Sequence, residues 1–101
     1  MSARIDIPKT KLADFCTQNR IRKLSLFGSV LRDDFRPDSD VDMLVEFEDG
    51  AVVGLLDMAR MERELSTIIG RRADLKTAED LSRYFRRQVL DLAEVQYGRA
   101  G

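Results

Sequence analysis

Histidine is absent from this 101-residue sequence, and cysteine occurs once, at position 16. Without an imidazole the chain has neither a histidine general base nor a histidine metal ligand, so any metal that it binds must be a hard ion held by oxygen atoms. A single cysteine excludes an internal disulfide and suits a reducing compartment. We expect Cys16 to be a small core residue, since no neighbour in the sequence would lower its thiol pKa.

The sequence also lacks long apolar runs and a large excess of charge of one sign. It has no signal-peptide pattern and no stretch of membrane-spanning length, so we expect a cytoplasmic protein without a membrane role. Seventeen basic and 18 acidic residues give a net charge of -1, which provides no bulk reason to bind nucleic acid directly. The length suffices for one modest core, so residues 1–101 are predicted to form a single domain.

Apolar periodicity predicts the order α-β-turn-β-α-β-α. Helices are predicted over residues 7–19 and 55–69, the second ending at a Gly70 cap, and strands over 24–27, 40–48 and 71–76. Thr77 and Asp80 resemble a capping pair that opens a last helix, whose inward side chains would be Leu81, Phe85, Val89 and Leu92. Residues 95–97 either finish that helix or form an edge strand. The fold class is therefore α/β or α+β, with helices packed on a small mixed sheet.

The strand over residues 40–48 opens with two carboxylates. Residues two apart on a strand share a face, so Asp40 and Asp42 lie together, while the alternate residues enter the core: Val41, Met43, Val45 and Phe47. Two neighbouring aspartates are costly unless a positive charge lies between them. The pattern predicts a site for a divalent cation.

A glycine and a serine, Gly28 and Ser29, stand where a strand meets a helical turn. Free backbone N–H groups at such a join favour an anion, and glycine allows a phosphate to come close. Either motif alone could be a plain turn or a solvated loop. Gly-Ser followed ten residues later by Asp-x-Asp is more specific, because it joins a phosphate site to a metal site.

These parts suit nucleotidyl transfer. Asp40 and Asp42 would hold magnesium on a triphosphate, with a second magnesium ion on the attacking hydroxyl group. A third carboxylate usually comes from a neighbouring strand, and Asp74, between Ala73 and Leu75, is our prediction for it. The other interpretation of Asp74 is an ordinary surface or capping aspartate.

Two motifs resemble those of the minimal nucleotidyltransferases, the MntA-type members of the polymerase-beta-like nucleotidyltransferase superfamily. They are Gly28-Ser29-x-x-Arg32 and Arg36-Pro37-Asp38-Ser39-Asp40-Val41-Asp42. The likeness covers nearly the whole chain, including the Asp74-Leu75 strand and Tyr97. Asp33 is a departure, because many relatives have glycine there, and it leaves the loop's shape open.

The resemblance implies a polymerase-beta-like fold, ATP as substrate, Mg²⁺ as cofactor and transfer of AMP. It implies an antitoxin role toward a separate HEPN-domain ribonuclease toxin, which is AMP-modified on a tyrosine. Asp40, Asp42 and Asp74 would bind metal and catalyse transfer. The residues implied to bind the nucleotide are Gly28, Ser29, Arg32 and Ser39.

Three functional hypotheses follow. In the first, the chain is a protein adenylyltransferase, whose acceptor arrives on another molecule because 101 residues leave no room for an acceptor domain. In the second, it is a binding-only antitoxin that neutralises its toxin by forming a complex. The third is transfer to a small molecule such as an aminoglycoside, which would require a homodimer cleft. Association with itself or with the toxin is compatible with each of them.

Overall fold

The computed structural model describes residues 7–31, 36 and 38–98. Their elements form one mixed four-stranded sheet in the order β3-β2-β1-β4, in which β2 and β3 are parallel and the other pairs antiparallel. The helices are α1 (Lys9–Gln18), α2 (Leu55–Ile69) and α3 (Arg83–Leu92), and the strands are β1 (Ile21–Phe27), β2 (Val41–Phe47), β3 (Ala73–Lys76) and β4 (Glu94–Gly98), with 3-10 turns at Gly28–Leu31 and Ala78–Asp80. The small mixed sheet packed with helices was predicted and is confirmed.

The core lies between one face of the sheet and helices α1 and α2. Each helix buries residues at helical spacing, and β2 contributes alternate residues to the same cluster. Its members include Leu12, Phe15 and Cys16 from α1, Met61, Leu65 and Ile69 from α2, and Val41, Met43 and Val45 from β2. The alternation predicted for β2 is confirmed, and its other side chains therefore face the opposite side of the sheet. We call that side the open face.

The ends of the first two helices follow local rules. Helix α1 begins after Pro8, which needs no N–H partner there, and ends at Asn19. Helix α2 ends at Gly70, whose φ of 71° is the left-handed conformation that closes many helices. Both ends agree with the predictions from sequence.

The last helix differs from its prediction. The Thr77–Asp80 capping pair forms, but it encloses the 3-10 turn, and α3 itself begins after Ser82, whose hydroxyl oxygen accepts a hydrogen bond from the Tyr84 N–H. Residues 95–97 belong to strand β4, so the edge strand, and not an extension of the last helix, is the correct alternative for this segment.

The predicted inward orientation was wrong for Phe85 and Leu92, whereas Leu81 and Val89 are half-buried. All ten residues of α3 are described and none is buried; Phe85 is 61% and Leu92 67% exposed. Arg86 ties the helix to the body by donating from Nε to the Ala78 carbonyl oxygen at 2.7 Å. Periodicity identifies which residues share a helix face, but long-range contacts decide which face the body covers.

Within the described part of the chain, none of the helices combines the length and the apolar character needed to cross a bilayer.

Candidate active site

The sheet register brings two of the three predicted acids side by side. Asp42 on β2 and Asp74 on β3 are direct Cα partners in the parallel pair. Because paired residues of neighbouring strands point to the same face, both carboxylates lie on the open face. Their neighbours Met43 and Leu75 are also partners, and both are buried on the core side. The strand register therefore places two negative charges next to each other, which is electrostatically unfavourable.

Helix α2 holds β3, the edge strand that carries Asp74. The Leu75 N–H donates to Glu62 Oε2 at 2.7 Å, and the Ala73 N–H donates to Ser66 Oγ at 2.9 Å. These two groups are the N–H donors on the outer side of β3, where no further strand supplies an acceptor. Two side chains of α2 thus replace a missing strand, and they fix the position of Asp74.

Gly28 lies directly against the Asp42 carboxylate. It adopts a φ of 77°, and a Cβ atom at this position would overlap Asp42 Oδ2 and stand 3.2 Å from Cγ. Phe27, the preceding residue, is the antiparallel partner of Asp42. Both the conformation and the space require glycine here. The predicted phosphate-binding turn at the end of β1 therefore lies directly against the predicted metal ligands at the start of β2.

The remaining predicted site residues occupy nearby positions. Ser29 is half-buried in the 3-10 turn beside Gly28, and Asp40 is exposed, one residue before β2. The Ser39 hydroxyl oxygen accepts a hydrogen bond from the Arg36 N–H at 3.1 Å, which shapes the loop leading into β2. Arg32 lies outside the described residues, as do Asp33 and Pro37.

The donor set of this site fits a hard divalent cation. Asp42 and Asp74 offer carboxylate oxygens on one face, and Asp40 lies two residues before Asp42, while the missing Cβ of Gly28 leaves room for a carboxylate. Oxygen ligands alone suit magnesium, which retains several waters. In the ranges that are described, no three acidic side chains are yet gathered closely enough to hold an ion.

A lysine that the sequence analysis missed lies beside Asp74. Lys76 Nζ lies 3.6 Å from Asp74 Oδ2, and both side chains are about two-fifths exposed. Alternation along β3 would have shown that Lys76 shares a face with Asp74. Glu62 was also missed, and it had no sequence signal, since only the packing of α2 reveals its contact.

A cavity of about 560 Å³ lies further along the open face, and neither Asp42 nor Asp74 is among its lining residues. Its floor includes Ser25 and Leu44, and Leu44 lies two residues beyond Asp42 on the same side of β2. Leu90 of α3 and Thr77, directly after β3, form part of its wall. This volume is typical of a site for a small molecule or a single side chain.

Cys16 lies in the core, away from this chemistry. Burial raises the pKa of its thiol from 9.0 to about 12, because the charged thiolate would be poorly solvated there. The prediction that Cys16 is a core residue rather than a reactive thiol is confirmed.

Comparison with known proteins identifies relatives over most of the chain. The family model for the nucleotidyltransferase domain matches residues 9–95. Protein adenylyltransferase MntA of Thermococcus cleftensis is 36% identical over 70 residues, which are 69% of each chain. A candidate protein adenylyltransferase of Methanocaldococcus jannaschii is 31% identical over 85 residues, covering 84% of this chain and 89% of its own.

Solved structures agree with the sheet and its connections. The structure of a candidate minimal nucleotidyltransferase is 36% identical, with a TM-score of 0.68 and coverage of 84% of this chain and 85% of that one. A complex of a tri-AMPylated HEPN toxin with its MNT antitoxin, from Shewanella oneidensis, matches with a TM-score of 0.64 over 90% of this chain and 70% of that one. At 18% identity the second match shows the fold alone. The resemblance and the polymerase-beta-like fold predicted from the motifs are confirmed.

Proposed function

Because the chain belongs to the nucleotidyltransferase domain family, we propose that it transfers AMP from ATP to a hydroxyl group, most suitably a tyrosine, of a HEPN-domain toxin. The modification inactivates the toxin, and the chain is its antitoxin. Its relative in T. cleftensis carries the name protein adenylyltransferase, and the structurally similar MNT antitoxin is bound to an AMPylated HEPN toxin. The observation that carries the proposal is the Asp42–Asp74 register beside Gly28.

Each acidic residue has a place in this reaction. Asp40, Asp42 and Asp74 would hold magnesium at the triphosphate, and Asp74, on the neighbouring strand, would also face the acceptor. When bound, magnesium supplies positive charge that stabilises the entering and leaving oxygens and lowers the pKa of the acceptor hydroxyl. A histidine base is then unnecessary, which agrees with the composition.

The chemical step is an exchange of one phosphorus–oxygen bond for another. The acceptor oxygen forms a bond to the α-phosphorus of ATP, the bond from that phosphorus to the bridging oxygen breaks, and diphosphate leaves. The acceptor proton passes to solvent or to Asp74. Backbone N–H groups at Gly28 and Ser29, with the Ser29 hydroxyl, orient the phosphates.

The cavity on the open face is suited to the acceptor side chain. It begins one residue pair beyond the two aspartates, since Leu44 follows Asp42 on the same side of β2. Two residues of strand span about 7 Å, which is close to the reach of a tyrosine side chain. Apolar Leu44 and Val95 would contact the ring, while its hydroxyl points toward Asp74.

Helix α3 provides a surface for the protein that carries this acceptor. Tyr84, Phe85 and Leu92 are each more than three-fifths exposed, and α3 contributes Leu90 to the wall of the cavity. Large exposed apolar side chains close to a site are typical of protein interfaces. This surface also supports the second candidate function, a binding-only antitoxin.

Transfer can be measured with ATP labelled at the α-phosphate and the protein encoded by the neighbouring reading frame. We expect label on that protein with the wild-type chain and magnesium, and a loss of at least about 100-fold with Asp42→Asn or Asp74→Asn, because removing a direct ligand costs more than the 10–100-fold typical of indirect ones. Asp14→Asn is the matched control, since Asp14 is an exposed residue of α1.

The same variants separate the two functions. If Asp42→Asn abolishes both labelling and neutralisation of the toxin, the enzymatic proposal holds. If wild-type protein transfers no label, or if Asp42→Asn neutralises the toxin as well as wild type does, catalysis is not the antitoxin mechanism and the binding function replaces it.

A further inference from the structure

Lys76 lies beside Asp74, one of the proposed metal ligands. It follows Asp74 by two residues on β3, and its ammonium lies 3.6 Å from Asp74 Oδ2. Its Cα partner is Leu44, at the floor of the cavity. Lys76 therefore lies two positions along the paired strands from Asp42 and Asp74, in the direction of the proposed acceptor site.

The acidic groups of the described chain are not gathered around a metal position. The Lys76 contact directs the Asp74 carboxylate along its own strand, whereas Asp42 lies on the neighbouring one. A magnesium ion arriving alone would have to displace the ammonium and would be repelled by it. An ion arriving with a triphosphate brings enough negative charge to reverse that balance.

Building on the proposed function, we propose that Lys76 is a positioning residue that keeps Asp74 out of the metal site until nucleotide is bound. Metal then enters the site as the metal–nucleotide complex. The released ammonium remains on the open face and can approach the phosphates. As a result, the site does not hold a divalent ion in the absence of the nucleotide substrate.

The test measures metal binding rather than turnover. Mn²⁺, which accepts the same oxygen ligands, is titrated into the full chain, and unbound Mn²⁺ is followed by its electron paramagnetic resonance signal. Without nucleotide, we expect Lys76→Met to bind Mn²⁺ about three- to tenfold more tightly than wild type, as removal of a partly exposed charge pair would produce. Lys76→Arg keeps the charge and should resemble wild type.

Lys23→Met is the control, because it removes the same charge from the same face. Lys23 pairs with Glu46, four residues along β2 from Asp42, a separation of about 13 Å. With a non-hydrolysable ATP analogue, which itself binds Mn²⁺, the quantity compared is the affinity of the protein for the Mn²⁺–analogue complex. The wild-type and Lys76→Met values should agree to within about twofold, since the nucleotide charge then dominates. Lys76→Gln is a second neutral variant should the methionine variant fold poorly.

Equal Mn²⁺ affinity of wild type and Lys76→Met without nucleotide would overturn the inference, as would equal tightening by Lys23→Met. Asp42→Asn distinguishes this failure from failure of the proposed function. If Asp42→Asn leaves Mn²⁺ binding unchanged with nucleotide present, the metal site itself is misplaced. If it abolishes binding while Lys76 variants have no effect, only the role of Lys76 is disproved.

Discussion

The backbone of Gly28 occupies the space in which any side chain would collide with Asp42. An added Cβ would stand 3.2 Å from the Asp42 Cγ and closer still to Oδ2. The contact joins the proposed phosphate-binding turn to the proposed metal-binding strand. It explains physically why a glycine is needed at the end of β1.

Gly28→Ala should therefore disable the site. We expect a loss of activity of about 100-fold, since Asp42 must move away from its position. The left-handed conformation, with φ at 77°, should also cost about 1–2 kcal/mol of stability in the alanine variant. AMP transfer and chemical denaturation measure the two effects.

Gly50→Ala separates the effect of the steric clash with Asp42 from the effect of the left-handed backbone conformation. Gly50 has a φ of 83°, and an added Cβ there has no atom within 4 Å among those described. The two variants should lose similar stability, and Gly50→Ala should retain activity to within about twofold. Equal activities of the two alanine variants would show that the Gly28–Asp42 contact is unimportant for transfer.

Glu62 should matter through the strand that it supports. In Glu62→Ala the Leu75 N–H, which donates to Glu62 Oε2 at 2.7 Å, loses its acceptor in a largely buried position, so we expect a loss of about 1–3 kcal/mol. Activity should fall about tenfold because Asp74 is less firmly held. Thermal unfolding and AMP transfer test both expectations.

Two further variants serve as controls for Glu62→Ala. Glu62→Gln retains an oxygen acceptor and should lose less than Glu62→Ala on both measures. Glu64→Ala removes an exposed carboxylate from the same helix, where Glu64 pairs with Arg60, and should change stability by less than about 0.5 kcal/mol. A Glu62→Ala variant as stable and active as Glu64→Ala would contradict the support role.

Because the thiol of Cys16 is buried, we expect the free energy of unfolding to depend on pH in alkaline solution. The folded-state pKa of about 12 exceeds the ordinary value of 9.0, so the folded protein keeps a proton that the unfolded chain releases. This contribution is complete below pH 9 and is lost as the pH rises toward 12. Over that range the free energy of unfolding should fall by about 1.4 kcal/mol per pH unit.

Cys16→Ala isolates this effect, because all other titrating groups are shared. Denaturant titrations at several alkaline pH values should show a shallower decline for the variant than for wild type. The native thiol should also react with a disulfide reagent at pH 8 only as fast as the chain opens. Parallel declines in both proteins would mean that the thiol does not contribute.

Much of the fold and site could be predicted from the sequence, because these features depend on local periodicity. Alternation in β2 separated Asp42 from Met43, and the glycine after α2 marked the helix end. Asp74 was expected on a neighbouring strand from its apolar neighbours alone. The error at α3 arose because the sequence of an amphipathic helix shows which side is apolar but not which part of the protein packs against that side.

The sequence by itself determined which residues could do the chemistry: a carboxylate pair at the start of a strand, a glycine–serine turn and no histidine. These follow from residue identity and from the repeat of two along a strand, which need no distant partner. Tertiary structure decided that Asp42 and Asp74 are paired on neighbouring strands, that Glu62 reaches β3 and that Lys76 lies beside the Asp74 carboxylate. Register and helix packing depend on contacts between distant parts of the chain, and local patterns do not contain them.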